Sequence, residues 1–488
     1  MFFNSVNYAV FIVTVFIIYW FFLKKNRNAQ NILLLVASYI FYGFWNVKFL
    51  SLLAFSTALD YFSGLKIENA TTKSAKKFWL FLSITINIGF LALFKYYNFF
   101  VESFASLLST AGFQAHLPTL NVILPVGISF YTFHGISYIV DVYYGKIKAE
   151  KNPVDYSLFV SFFPLLVAGP IERATHLLPQ IKKDRVINPV MMTEGMRLIL
   201  WGMVKKVVIA DRCADVVNQL FAQYKDLGSI YLILGCVLFA VQIYADFSGY
   251  SDIALGSARL LGFELLRNFN YPYFSKNIPE FWKRWHISLS SWFRDYLYIP
   301  LGGSRGSKLN NVRNVFIIFI VSGFWHGANW TFIVWGALHA LFYLPQIFKK
   351  KHPAGQIKTI EHYPLIPGFR QVLQMMLTFA IVCLAWVYFR SLNVHEANEY
   401  IINIFKGFRD PAAIVNQVKE IVPGYAFLFA VLGAFFFVEW QGRDHIHPLY
   451  NIVTRVNQPV RFLIYMILVF TILFSVQPKQ ESFIYFQF

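Results

Sequence analysis

Charged side chains are few and unevenly split in this sequence: Asp, Glu, Lys and Arg make up 14% of 488 residues, with 25 acids against 43 bases, while 57% of the chain is hydrophobic. So little polar surface cannot cover a soluble globule of this length, which excludes a large soluble domain and leaves membrane insertion. Cysteine is rarer still. Cys213, Cys236 and Cys383 show neither metal-ligand spacing nor a pairing pattern and read as small packing residues. Several catalytic signatures are missing: there is no H-E-x-x-H, no phosphate-cradling P-loop and no histidine followed five residues later by aspartate. No metal site is expected. The formal charge of +18 would suit nucleic acid if it lay on one soluble face. It lies instead in loops between apolar segments, where positive-inside topology and anionic lipid account for it, so the expected partner is the bilayer and not nucleic acid.

Apolar runs are what the sequence has in abundance. Spanning or deeply buried segments begin near Tyr8, Asn31, Phe49, Phe78, Phe99, Val122, Ser157, Met196, Ile230, Val315, Trp330, Val372, Tyr425 and Val460. They predict an all-α, polytopic membrane protein of about eleven to fourteen spanning or re-entrant helices. The first run, Tyr8 to Leu23, has no basic residue before it and Lys24, Lys25 and Arg27 directly after it, the opposite polarity to a signal peptide. It is therefore expected to stay, with the N-terminus outside and that basic block in the cytoplasm. Two short helices then return Lys66, Lys73, Lys76 and Lys77 to the same side. With no internal repeat and no low-complexity linker, a single integral-membrane domain over 1–488 is expected, with its motif-rich core at 124–343 and C-terminal helices over 344–488.

The stretch from Asn268 to Arg313 breaks the pattern. It mixes Trp282, Trp285, Trp292, Lys283, Arg284, Arg294, Asp295, Pro300, Gly302 and Gly303 with apolar residues, too polar for a lipid-facing helix. Such backbone is tolerated at membrane depth only where protein or a polar cavity surrounds it, which predicts a re-entrant or amphipathic region entered from the cytoplasm. Arg284, Arg294 and Arg305 would suit a phosphate, although positive-inside topology explains each equally well. Trp285 and Asp295, with Trp325 and Asn329 from the next block, complete the candidate substrate- or donor-binding set.

His326 lies in VSGFWHGANWTFIVWGALHALFY, an apolar segment where an ionisable residue is expensive and faces the bundle interior. A core histidine bonded to a carbonyl is the plain alternative. Gly323, Gly327 and Ala328 are expected to leave room for a ligand, and burial favours a neutral imidazole able to take a proton, which suits a general base. His339, thirteen residues on, would be about 20 Å away on an unbroken helix, so packing is expected for it. His286, among tryptophans and arginines, is the second candidate. Asp246 and Asp252 in ADFSGYSDIALG point to buried ion pairs or caps more than to a metal. Pro125, Gly127, His134, Asp141, Gly169, Pro170, Glu172 and Arg173 point to helix breaks and polar contacts.

Four blocks in order, from Leu124 to Tyr343, carry a resemblance: FPLLVAGPIER, YADFSGYSDIALG, PEFWKRWHISLSSWFRDYLYIPLGGSRG and SGFWHGANWTFIVWGALHAL. Together they resemble the membrane-bound O-acyltransferase family, most of all its bacterial alginate O-acetylase branch. The resemblance implies a ring of tilted helices around a thinned centre with a cytoplasmic funnel, in a bacterial inner membrane. It places the family's invariant histidine on His326 and its second polar catalytic position on His286. It further implies a thioester donor, acetyl-CoA or an acyl carrier, with no bound cofactor. The acceptor would be a polysaccharide hydroxyl reached with an extracytoplasmic acetyltransferase- or esterase-like partner, and D-alanyl or acetyl transfer to teichoic acid or peptidoglycan is the alternative. His326 could act as base or be acylated itself.

Two other classes compete with an enzyme. A transporter or flippase would line its path with the same polar positions, and a scaffold would leave catalysis to another chain. The enzyme reading predicts a continuous polar cavity joining both faces through His326.

Overall fold

The computed structural model describes residues 1, 3–113, 117–120, 123–167, 169–348, 364–450, 452–476 and 483–484, and every regular element among them is helical. The apolar runs become helices close to the expected places: Val6–Ile17, Arg27–Gly43, Leu50–Asn69 and Lys73–Leu91 near the N-terminus, then Ser229–Leu260, Lys308–His326, Trp330–Phe348, Phe369–Arg390, Ala426–Gly442 and Gln458–Ser475. The expected start at Val122 and Ala168 of the FPLLVAGPIER block lie outside the described residues. Side chains fix several starts, since Asn26, Thr72, Ser307, Asn393 and Asn457 each accept a bond from the backbone N–H three residues on.

Among the described residues, five helical runs are long and apolar enough to cross a membrane, and Pro411–Gly424 with Ala426–Gly442 forms a further candidate bent by 75°. This makes the chain an integral membrane protein. Val394–Gly407 has no counterpart among the expected segments. Glu396, Glu399 and Lys406 keep its composition polar, while Ala397, Tyr400 and Ile404 bury one face.

The described chain divides into two compact units, residues 1–196 with 254–266 and residues 197–253 with 267–488. In the first, polar side chains tie the helices together. Asp60 accepts from Ser83 (2.5 Å) and Asn87 (2.8 Å), Arg185 donates to Asn31 (2.6 Å), and Tyr8 donates to Ser257 (2.6 Å). Gly127 opens the helix Ile128–Tyr143 at φ 76°, and a Cβ there would run into the Leu166 carbonyl, so the expected break needs glycine. His134 accepts from the Glu172 backbone N–H (3.1 Å) and Lys146 pairs with Asp141 (2.9 Å), polar contacts of the kind expected.

In the second unit two adjacent lysines are buried. Lys205 and Lys206 lie in a π-helical stretch, Val204–Ala210. Lys205 pairs with Asp252 at 2.9 Å and Glu439 at 3.4 Å, and Lys206 with Asp211 and Asp246, each at 2.9 Å. Buried Asp246 and half-buried Asp252 are therefore ion-pair partners, as their apolar surroundings suggested.

Candidate active site

The polar stretch after Asn268 folds as two short helices around a tight elbow. Ile278–Arg284 starts under an Asn277 cap with Pro279 in its first turn, and Ile287–Phe293 follows. Between them His286 is left-handed, at φ 42° and ψ 55°. That conformation costs a non-glycine residue about 1–3 kcal/mol and persists only where the surroundings enforce it. His326 is the last residue of Lys308–His326. Gly327 is extended, Asn329 Oδ1 accepts from the Thr331 N–H (3.0 Å), and the chain re-enters a helix at Trp330.

These two helix ends bring the histidines together. The His286 and His326 ring centroids are 6.5 Å apart, and Trp325 lies against both, at 6.0 and 4.9 Å. Trp335 and Phe389, each at 5.3 Å, enclose His326, and Phe247 stands edge-on to His286 at 4.7 Å. Both histidines are buried. Neither ring nitrogen of His286 has a hydrogen-bond partner among the described residues. A fully buried imidazole with two unmatched nitrogens is rare in a settled core and calls for a ligand or a catalytic use.

Gly323 and Gly327 do not open space for a ligand. A Cβ on Gly323 would meet the Phe332 carbonyl and one on Gly327 the Phe332 ring, so these glycines let the two helices approach closely. His326 itself is buried among these aromatic side chains.

A cleft of about 390 Å³ approaches from one side. Lys283 and Arg294 supply its cations, and Ser290, Ser291, Ser322 and Tyr298 its hydroxyls, with Phe293, Ile318 and Phe319 among its apolar walls. Its lining includes Ile287, next to His286, and Ser322, one helical turn before His326, but not the histidines themselves. The volume suits a small-molecule arm.

The remaining candidates divide by environment. Arg294 is exposed and pairs with Asp295 at 2.8 Å on the cleft. Arg305 is exposed on the turn beyond Gly302–Gly303. Arg284, by contrast, is buried, bonded to Glu280 (3.0 Å) and to the Asn270 carbonyl (3.2 Å). Trp285 is buried against Phe269 (5.0 Å) and Trp386 (5.1 Å). Asn329 also donates to the Leu392 carbonyl (2.8 Å). His339 packs on Trp335 at 4.9 Å and accepts from Trp282 Nε1 (3.3 Å), a packing role as expected. Sequence reasoning missed Phe247, Trp335 and Phe389 as walls, because aromatic residues are too common here to stand out. It also missed Lys205 and Lys206, for which two lysines in the apolar run VKKVVIA were a usable signal.

A model of the membrane-bound O-acyltransferase family matches residues 34–388, which include both histidines. The chain belongs to this family. Its relatives are named for acyl transfer. The probable alginate O-acetylase of Pseudomonas syringae is 43% identical over 376 residues, 76% of this chain and 69% of the relative. The peptidoglycan O-acetyltransferase of Helicobacter pylori is 37% identical, covering 78% and 74% of the two chains. The teichoic acid D-alanyltransferase of Bacillus subtilis is 31% identical, covering 58% and 73%. The protein is thus an O-acyltransferase, which sets aside the transporter and scaffold readings.

Proposed function

We propose that this O-acyltransferase moves an acetyl group from a cytoplasmic thioester to hydroxyls of an extracytoplasmic, alginate-like polysaccharide. The observation that carries the reading is the meeting of His326 and His286 next to residues that line a cleft holding Lys283 and Arg294. Those cations suit the phosphates of coenzyme A or of a carrier-bound pantetheine arm, with Arg305 adding to the field. Arg284, already bonded to Glu280, shapes the elbow rather than meeting the donor.

In the reaction, the acceptor oxygen attacks the acyl carbonyl as His326 takes the hydroxyl proton. The C–S bond then breaks, and the proton passes to the leaving thiolate. His286 orients the acceptor or donates to the developing oxyanion. Imidazole also attacks thioesters, so an acyl-His326 intermediate reaches the same products in two transfers. The setting is a bacterial inner membrane with the N-terminus outside, and an extracytoplasmic acetyltransferase- or esterase-like partner completes delivery to the polymer.

The names and identities of the relatives support acetyl and alginate first, while the Helicobacter relative supports peptidoglycan as a second acceptor. Deleting the protein and analysing envelope glycans by mass tests both. We expect O-acetyl groups on exopolysaccharide to disappear and to return with wild type but not with His326→Ala. Loss confined to peptidoglycan favours the second acceptor, and unchanged acetylation of every glycan contradicts both.

A further inference from the structure

We infer that Asn268 is a positioning residue that holds His286 in its left-handed elbow, an inference that rests on His286 acting in acyl transfer. Four hydrogen bonds bracket the elbow. The Asn270 N–H donates to the Arg284 carbonyl (2.9 Å), and the Ile287 N–H donates to the Asn268 carbonyl (2.8 Å), one on each side of His286. Arg284 Nη1 adds a bond to the Asn270 carbonyl (3.2 Å). The fourth comes from a side chain: Asn268 Oδ1 accepts from Ser288 Oγ (2.5 Å), in the first turn beyond the elbow.

The other end of the same amide reaches a different helix. Asn268 Nδ2 donates to Ser251 Oγ (3.1 Å) on Ser229–Leu260, one turn past Phe247, whose ring stands edge-on to His286. A single buried amide therefore ties the elbow to the helix that supplies the imidazole's neighbour. Asn268 is 1% exposed, so nothing from solvent replaces it readily once it is removed. Its loss takes one partner from each of the Ser251 and Ser288 hydroxyls and leaves the strained backbone with the two main-chain bonds and the Arg284 bond only. The chemistry is sensitive to such slack, because a displacement of about 1 Å can cost a hundredfold in rate.

The test compares wild type with Asn268→Ala, Ser288→Ala, Ser288→Thr and His286→Ala in detergent, reading kcat and donor KM for acetyl-CoA turnover together with Tm. We expect Asn268→Ala and Ser288→Ala to lower kcat about ten- to hundredfold with donor KM and Tm near wild type. Ser288→Thr, which keeps the hydroxyl, should recover most of the kcat lost in Ser288→Ala. Wild-type kcat in both alanine variants overturns the inference, as does a kcat loss that appears only alongside a matching fall in Tm or in folded yield. Full turnover by His286→Ala overturns the underlying reading instead, so the two failures are told apart.

Discussion

The arginines near the cleft show how burial decides what a cation can do. Arg284 is buried, with its guanidinium bonded to Glu280 and the Asn270 carbonyl, while Arg294 is exposed on the cleft. Arg294→Ala should therefore raise donor KM severalfold at unchanged Tm. Arg284→Ala should instead destabilise by about 1.5–3 kcal/mol, the cost of losing bonds to a charged group. Donor kinetics and thermal unfolding of the two variants check this, and equal effects on KM would contradict it. His176 offers a pH test away from the spanning helices. Its hydrogen bond to buried Glu172 (2.8 Å) holds its pKa above the ordinary imidazole value. A raised folded pKa means the contribution is fully present below the unfolded value of about 6.5 and is lost as pH rises through the raised one. Wild-type Tm should fall more steeply across that window than Tm of His176→Gln; matching slopes would contradict the assignment. His326 was legible in the sequence because a histidine in an apolar run is costly. The left-handed backbone of His286 and the two-way side-chain amide of Asn268 were not, since neither leaves a compositional trace.

Helices were legible wherever hydrophobicity ran long enough, and less so where burial is one-sided, as in Val394–Gly407. The glycines of the His326 helix pair were assigned the wrong purpose: alone, a glycine signals missing volume, and only the partner helix shows that Phe332 fills it. At the same scale, the π-helical stretch Val204–Ala210 turns two lysines into the interior, where four carboxylates meet them. Lys206→Met should leave Asp211 and Asp246 without this counter-ion and destabilise by about 3–5 kcal/mol. Thermal unfolding in detergent measures it, and an unchanged Tm would show that the pairs carry no weight. Replacing Asp246 as well, in Lys206→Met with Asp246→Leu, should recover part of the loss, because the uncompensated charge goes with it.

For the whole molecule, the distribution of basic residues sets the orientation we propose. Cys213, Cys236 and Cys383 are all buried, so a single introduced cysteine reads out against a quiet background. Asn4→Cys should react with a membrane-impermeant maleimide in intact cells, and Lys25→Cys only after lysis; the reverse pattern would invert the topology. The composition fixed the membrane class and the four motif blocks pointed to the family, whereas the aromatic residues that surround His326 emerged only from packing. Burial of the proposed base makes turnover the decisive observation. The most direct measurement is thioester turnover by the purified protein, with acetyl-CoA and a carrier-bound acetyl thioester offered separately, for wild type and His326→Ala at matched Tm. The account predicts release of free thiol by wild type with at least one donor and a loss on the order of 10²–10⁴-fold in His326→Ala. Wild-type turnover in His326→Ala, folded and at equal concentration, would contradict it.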